Sequence, residues 1–420
     1  MAAQPAPSER YRRLTQQEVD LICVKHDRLW SARMGGARAV FNFCDLQGLK
    51  FVGRNLCDAD FTGALLGDAN MIGARLDNAS FFGADLQNAN LTEASLRRAD
   101  LRGASLRGAN LTGADLFECD LREGSIAAAD SKAGYKMIEH TNRAAQAQET
   151  ILVGANLERS RMSGIIAVRA DFTDAILKDA KLVRANLKQC NMTGCNLAGA
   201  DLSGADLSGA DMTDAVLIGA KTFAWTVDQT NMSGALTDKP SGKALEDLPF
   251  EQMIHDHARW CETGGVEGSP SIFDNADLRN LKSLRGFNLT ALSAKGATFY
   301  GLEMEGVQLQ GAHLENADLR ACNLRRADLR GARLKGAKLT GSDLRDAQLG
   351  PLMIGPERLL PCDLTGAILK NADLTRADLR GARLAGSDIS RANFSGATIK
   401  DADFTGAIRE GAHGLASRPG

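Results

Sequence analysis

The side chains with most chemical potential in this 420-residue sequence are the imidazoles and thiol of His255, His257 and Cys261. His255-Asp256-His257 followed by Cys261 has the residue types of a metal site. On a helix, residues four apart share a face, so His257 and Cys261 can meet while His255 points elsewhere. Two ligands do not close a zinc site. The counterpart earlier in the chain, His26, has only Cys23 within reach. The spacing therefore predicts that His26 and His257 pack inside beside Trp30 and Trp260, as structural parts of two helical caps with no catalytic or metal role. Gly264-Gly265-Val266-Glu267-Gly268 is glycine-rich but lacks the strand–turn–helix context of a phosphate loop, and no Walker lysine motif occurs. Serine-elbow spacing is also absent. No enzyme, cofactor or metal centre is expected.

The elements that position these groups follow from a repeat. From Ala59 to Leu121 the chain reads ADFTG–ALLGD–ANMIG–ARLDN–ASFFG–ADLQN–ANLTE–ASLRR–ADLRG–ASLRG–ANLTG–ADLFE–CDL, a five-residue unit without a gap. The first position is small, the second usually polar, the third large and apolar, and the last two turn-tolerant. Five residues suit neither an α-helix, in which successive Leu would spiral around the cylinder, nor a straight strand, in which they would alternate faces. A short extended piece followed by a corner satisfies the pattern. Positions one and three then face inward, position two faces water, and positions four and five make the bend.

These A-(D/N)-L-x-x runs resemble the pentapeptide-repeat proteins. The resemblance implies an all-β solenoid, a right-handed quadrilateral β-helix with four units per turn, so that residues twenty apart stack. Here it implies two tandem arrays, each preceded by a short capping α-helix. It also carries a functional alternative, since some family members bind DNA gyrase or topoisomerase by mimicking duplex DNA and protect it from quinolones.

Six of the nine cysteines, Cys44, Cys119, Cys190, Cys195, Cys322 and Cys362, stand at position one in place of Ala. Small buried thiols need no partner, so neither a disulfide framework nor a zinc site is expected, and the expected compartment is a reducing cytoplasm. There is no apolar run long enough for a membrane span, and no signal-peptide core at the start. The formal net charge of −2 argues against a strongly basic nucleic-acid binder. No direct nucleic-acid binding and no membrane contact are expected; a protein partner is.

In chain order, residues 1–14 read as a disordered N-terminus. Residues 15–222 read as a cap helix plus the first array, the helix opening on the capping box Thr15-Gln16-Gln17-Glu18 and closing at Gly35-Gly36. An insertion at 127–150 interrupts that array and is read as a projecting, partly helical loop. Residues 223–243 read as a linker, because the period fades while Gly, Pro and Ser accumulate. Residues 244–409 read as a second cap helix, started by Asp247-Leu248-Pro249, plus a second array that is irregular at 349–361, where three prolines fall. Residues 410–420 read as a flexible tail. Phe250, Met253, Ile254 and His257 align with Val19, Ile22, Cys23 and His26, so the chain reads as a tandem duplication.

Counting by twenty gives the outer ladders. Asn70, Asn90 and Asn110 should stack, as should Asp60, Ser80, Asp100 and Asp120. In the second array, Asp318, Lys338, Arg358 and Asp378 should share one ladder, and Asn323, Asp343, Asp363 and Arg383 another. Mixed charge within such ladders suits a self-compensated wall. The leading expectation is a non-catalytic scaffold or protein-interaction protein. The alternative is a DNA-mimic modulator of gyrase or topoisomerase.

Overall fold

The computed structural model describes residues 11–124 and 144–415, with backbone alone at Ala128–Asp130 and Gly134–Lys136. The expectations for residues 1–10, for most of the 127–150 insertion and for 416–420 lie outside the described residues. The chain divides into two compact units, Met1–Lys239 and Pro240–Gly420.

The five-residue unit folds as its residue types dictate. The third residue donates its N–H to the chain nineteen residues on, as Phe61 does to the Ser80 carbonyl at 2.7 Å, and Ser80 returns a bond to Ala59 at 3.0 Å. Its own carbonyl accepts from the next unit's first residue, closing a tight turn such as Ala64 N–H to Phe61 O at 2.9 Å. The fifth residue then takes a positive φ, +62° at Gly63 and +59° at Asp58, which explains Gly, Asn and Asp there. Positions one and three are buried through most of both units and, in the last layer of each, mostly only partly buried.

The fold-class expectation is corrected by this backbone. A continuous right-handed quadrilateral β-helix, and with it the description as a solenoid, is not what forms. Among the described residues, regular β-structure is confined to four separate two-stranded sheets. None of them curls or closes. Elsewhere the chain alternates single-residue parallel bridges with turns. The reason is local: a unit that spends two of five residues on a corner leaves three, of which only the middle one, position two, bridges before the chain bends, so no ladder lengthens into a strand. Those bridges nevertheless keep a period of twenty, as in Asp60↔Ser80↔Asp100↔Asp120 and Asn70↔Asn90↔Asn110.

In the first unit, β1 (Arg12–Arg13) pairs parallel with β2 (Cys44–Asp45), and helix α1 spans Gln16–Trp30. The capping box forms: Thr15 Oγ1 accepts from Glu18 N–H, and Glu18 Oε2 accepts from Thr15 N–H at 2.8 Å. The helix ends at Ser31, short of Gly35-Gly36, because Ala32 takes a φ of +51° and the N–H groups of Ala32 and Arg33 turn back to the Leu29 and Arg28 carbonyls. Its stripe, Val19, Cys23 and His26, is buried in the same core as Phe41, Phe51 and Phe61. Within the insertion, β3 (Ala128–Asp130) and β4 (Gly134–Lys136) pair antiparallel. The repeat resumes at Gln146, which bridges Ser105. At the other end of the unit the bridges continue past Thr222, through Asp206↔Thr226, Asp211↔Asn231 and Val216↔Leu236. Residues 223–236 thus belong to one more layer, whose inward residues include Trp225, Val227 and Met232.

The second unit opens similarly. β5 (Lys243–Ala244) pairs parallel with β6 (Ala276–Asp277), a 3-10 turn covers Leu245–Asp247, and helix α2 spans Phe250–Glu262 with Pro249 at its N-cap and no side-chain cap. Phe250, Met253 and Ile254 pack on the core that holds Phe273. The Pro-bearing stretch leaves the wall as a hairpin, β7 (Leu352–Gly355) with β8 (Arg358–Leu360). Bridges across it span thirty residues, Arg333↔Asp363 and Lys338↔Ile368, so ten residues are inserted in one layer. This corrects both second-unit ladders. The observed sets are Asp318–Lys338–Ile368–Asp388 and Asn323–Asp343–Asp373–Asn393; Asp363 and Arg383 fall in a third, Arg333–Asp363–Arg383–Asp403, Asp378 bridges Gln348, and Arg358 lies on the hairpin.

Candidate functional site

The walls are built around position two. Its Asp or Asn accepts the N–H two residues on, as in Thr62 N–H to Asp60 Oδ1 at 3.0 Å and Thr92 N–H to Asn90 Oδ1 at 3.1 Å. The polar residue therefore completes the turn as well as facing water, a role the simple inside–outside pattern does not disclose. When position four is Arg, the same carboxylate is held by a two-pronged pair. Arg102 reaches Asp100 through Nε at 2.8 Å and Nη2 at 2.7 Å, and Arg122 repeats this on Asp120. The Asp60–Asp120 ladder is therefore largely self-neutralised.

The last layers of the first unit differ. Residues 191–238 contain six aspartates, Asp201, Asp206, Asp211, Asp214, Asp228 and Asp238, against one cation, Lys221. Serine and threonine replace arginine at position four: Ser203 Oγ donates to Asp201 at 2.7 Å, Ser208 Oγ to Asp206 at 2.6 Å and Thr213 Oγ1 to Asp211 at 2.6 Å. The Ser203 hydroxyl and N–H hold the Asp201 carboxyl below its ordinary range. Burial alone would raise Asp206, but the Ser208 hydroxyl and the Lys188 ammonium, 3.0 Å away, hold it low as well. Asp228 and Asp238 are exposed. Asp206 is thus paired with Lys188, whereas the hydroxyls of Ser203 and Thr213 fix Asp201 and Asp211 without cancelling their charge. Charge summed by layer instead of by ladder would have found this in the sequence.

The sequence-derived site residues fall in the two helical regions. His26 is fully buried, its Nδ1 accepting from Ala39 N–H at 3.0 Å, with the Trp30 ring edge-on at 6.4 Å. His257 is likewise buried, its Nδ1 accepting from Ser271 N–H at 2.9 Å, with Trp260 at 5.9 Å. Burial pushes both imidazoles down. Neither Nε2 finds a hydrogen-bond partner in the structure. We propose that these four residues serve only to seat the helices. Among the described residues, no group of three His, Cys, Asp or Glu side chains is placed to hold a metal ion. No helix among them is long and apolar enough to cross a membrane.

The repeat places its Ala, Leu and Asx residues as a known family does. The family described as pentapeptide repeats matches eight copies, at residues 39–78, 59–98, 84–123, 150–189, 190–221, 308–346, 362–396 and 372–408, together more than half the chain. This chain belongs to the pentapeptide-repeat family. Pentapeptide-repeat structures similar to it include QnrB1, a plasmid-mediated fluoroquinolone resistance protein, at 18% identity over 54% of this chain and 98% of that one, TM-score 0.27. Rfr23 from the cyanobacterium Cyanothece 51142 is 25% identical over 33% of this chain and 88% of that one, TM-score 0.22. HetL from Nostoc sp. strain PCC 7120, described as involved in heterocyst differentiation regulation, is 21% identical over 92% of each chain, TM-score 0.18. Among curated proteins no sequence matches. The expectation of no direct nucleic-acid binding is withdrawn.

Proposed function

We propose that this pentapeptide-repeat protein acts by presenting its acidic layers to the basic, DNA-handling surface of another protein, with a type II topoisomerase such as DNA gyrase as the partner. The observation that carries the reading is the charge of residues 191–238, six aspartates to one lysine, in a chain whose overall charge is only −2. Fixed carboxylates on a rigid stack offer a basic groove a complementary surface without the ordering cost of a flexible acidic tail. The self-paired Asp-x-Arg walls elsewhere in the chain explain why the net charge conceals this local concentration.

The test is a supercoiling assay with purified gyrase and the full chain, alongside Asp201→Asn/Asp206→Asn/Asp211→Asn. Asparagine keeps the turn, since Asn191 and Asn231 already accept the same N–H bond at equivalent places. Altered supercoiling by the parent and its loss in the triple variant support the reading. No effect of the parent at micromolar concentration rejects it.

A further inference from the structure

On one wall of the second unit, the Asp-x-Arg ion pair made within one repeat elsewhere gives way to another arrangement. Asp277–Arg279, Asp318–Arg320, Asp328–Arg330, Asp343–Arg345 and Asp378–Arg380 are all internal ion pairs. In the ladder Arg333–Asp363–Arg383–Asp403, arginine and aspartate alternate at position two. The side chains of Arg333, Lys335 and Arg383 are exposed and form no close ion pair among the described residues, and Arg358 on strand β8 adds a fourth such cation.

The hairpin β7–β8 stands beside this wall and turns it into a cavity of about 530 Å³, with Ile354, Leu359 and Pro361 on the hairpin side. Two carboxylates, Glu315 and Asp363, also line it, so four cations face two anions, a net +2. Glu315 contributes a buried Oε2 with no hydrogen-bond partner, while its Oε1 lies 4.0 Å from His313 Nδ1. A buried acceptor without a donor is costly unless something else supplies one.

We propose that this pocket binds a small organic phosphate monoester. A phosphate monoester carries about −1.5 to −2 at neutral pH, which matches the excess positive charge. Guanidinium forks such as those of Arg333 and Arg383 suit paired phosphate oxygens. The apolar hairpin side accepts the body of the molecule. The volume lies within the range of small-ligand pockets. This inference concerns the second unit and stands independently of the acidic layers in the first.

Calorimetric titration of the full chain with AMP, phenyl phosphate, adenosine and inorganic phosphate tests it. AMP or phenyl phosphate should bind at least about tenfold more tightly than inorganic phosphate or adenosine. Arg333→Gln/Arg383→Gln should weaken that binding by about tenfold or more, with an unchanged melting temperature because both residues are exposed. Ile354→Ser/Leu359→Ser should weaken phenyl phosphate and leave inorganic phosphate unaffected. Three results overturn the proposal: neither ester binds at millimolar concentration, the arginine variant binds them as well as the parent, or inorganic phosphate binds as tightly as the esters.

Discussion

The Phe61 ring lies 4.8 Å from that of Phe81, twenty residues on, and within 1° of parallel. Phe41 continues the stack at 5.0 Å from Phe61, and Phe51 meets Phe61 edge-on at 6.0 Å. All four rings are fully buried. Phe61→Ala removes the middle ring and leaves a cavity that neighbouring layers, tied by backbone bonds above and below, cannot close. A loss of about 3–5 kcal/mol is expected in urea unfolding. A loss under about 1 kcal/mol would mean the stack relaxes around the gap.

Burial separates chemically identical ion pairs. Arg320 and Asp318 are 7% and 11% exposed, whereas the Arg380 side chain is 62% exposed. Asp318→Asn leaves a guanidinium largely out of water and should cost about 3–5 kcal/mol. Asp378→Asn should cost at most about 1 kcal/mol. Parallel melting curves of the two variants check this, and equal shifts would contradict the burial argument.

The two interior histidines give stability a pH dependence of known sign. Both have pKa values lowered by burial, so the unfolded chain takes up these protons first as pH falls. Stability should therefore decline as pH drops below about 6.5, the ordinary histidine value, until the folded imidazoles also protonate. His26→Gln/His257→Gln, which keeps an acceptor for the Ala39 and Ser271 N–H groups, should flatten the profile between about pH 7 and pH 5. Chemical unfolding at stepped pH measures it; an unflattened profile would assign the decline to other groups.

Thiol chemistry reports on the same interior. All nine cysteines are free, and eight are buried, Cys261 being half-buried. Burial pushes Cys23 up to about 11 and Cys190 and Cys322 to about 12. Cys190 and Cys322 also donate to the Ala167 and Phe299 carbonyls. Disulfide-exchange reagents should modify Cys261 at most in the native protein and all nine thiols in denaturant. Rapid labelling of Cys119 or Cys362 without denaturant would place those units outside the core.

The unit length, the inward positions and the stacking of Asn70, Asn90 and Asn110 were legible in the sequence, because apolar size and turn residues recur every five positions. The extent of regular β-structure was not, since periodicity records which way side chains point and is silent on how many consecutive residues pair. The layer at 223–236 was hidden because Thr222, Trp225 and Thr226 depart from the usual residue types while the backbone keeps its bridges. The wall of Arg333 and Arg383 was hidden by a count. Ten residues at 351–360 preserve a multiple of five, so stepping by twenty passed through the hairpin and assigned Arg358 to the wrong ladder. The acidic layers were missed because charge was summed along ladders, where mixed signs cancel.

Pairs separated by thirty residues across the hairpin, and by forty-one at Ser105↔Gln146, resume in the same order as pairs separated by twenty. A corner can therefore be lengthened without disturbing what lies on either side of it. Evolution has a cheap route to new contacts here, and so does a protein engineer: foreign peptides spliced at such bends would be displayed outward while the stack kept its stability.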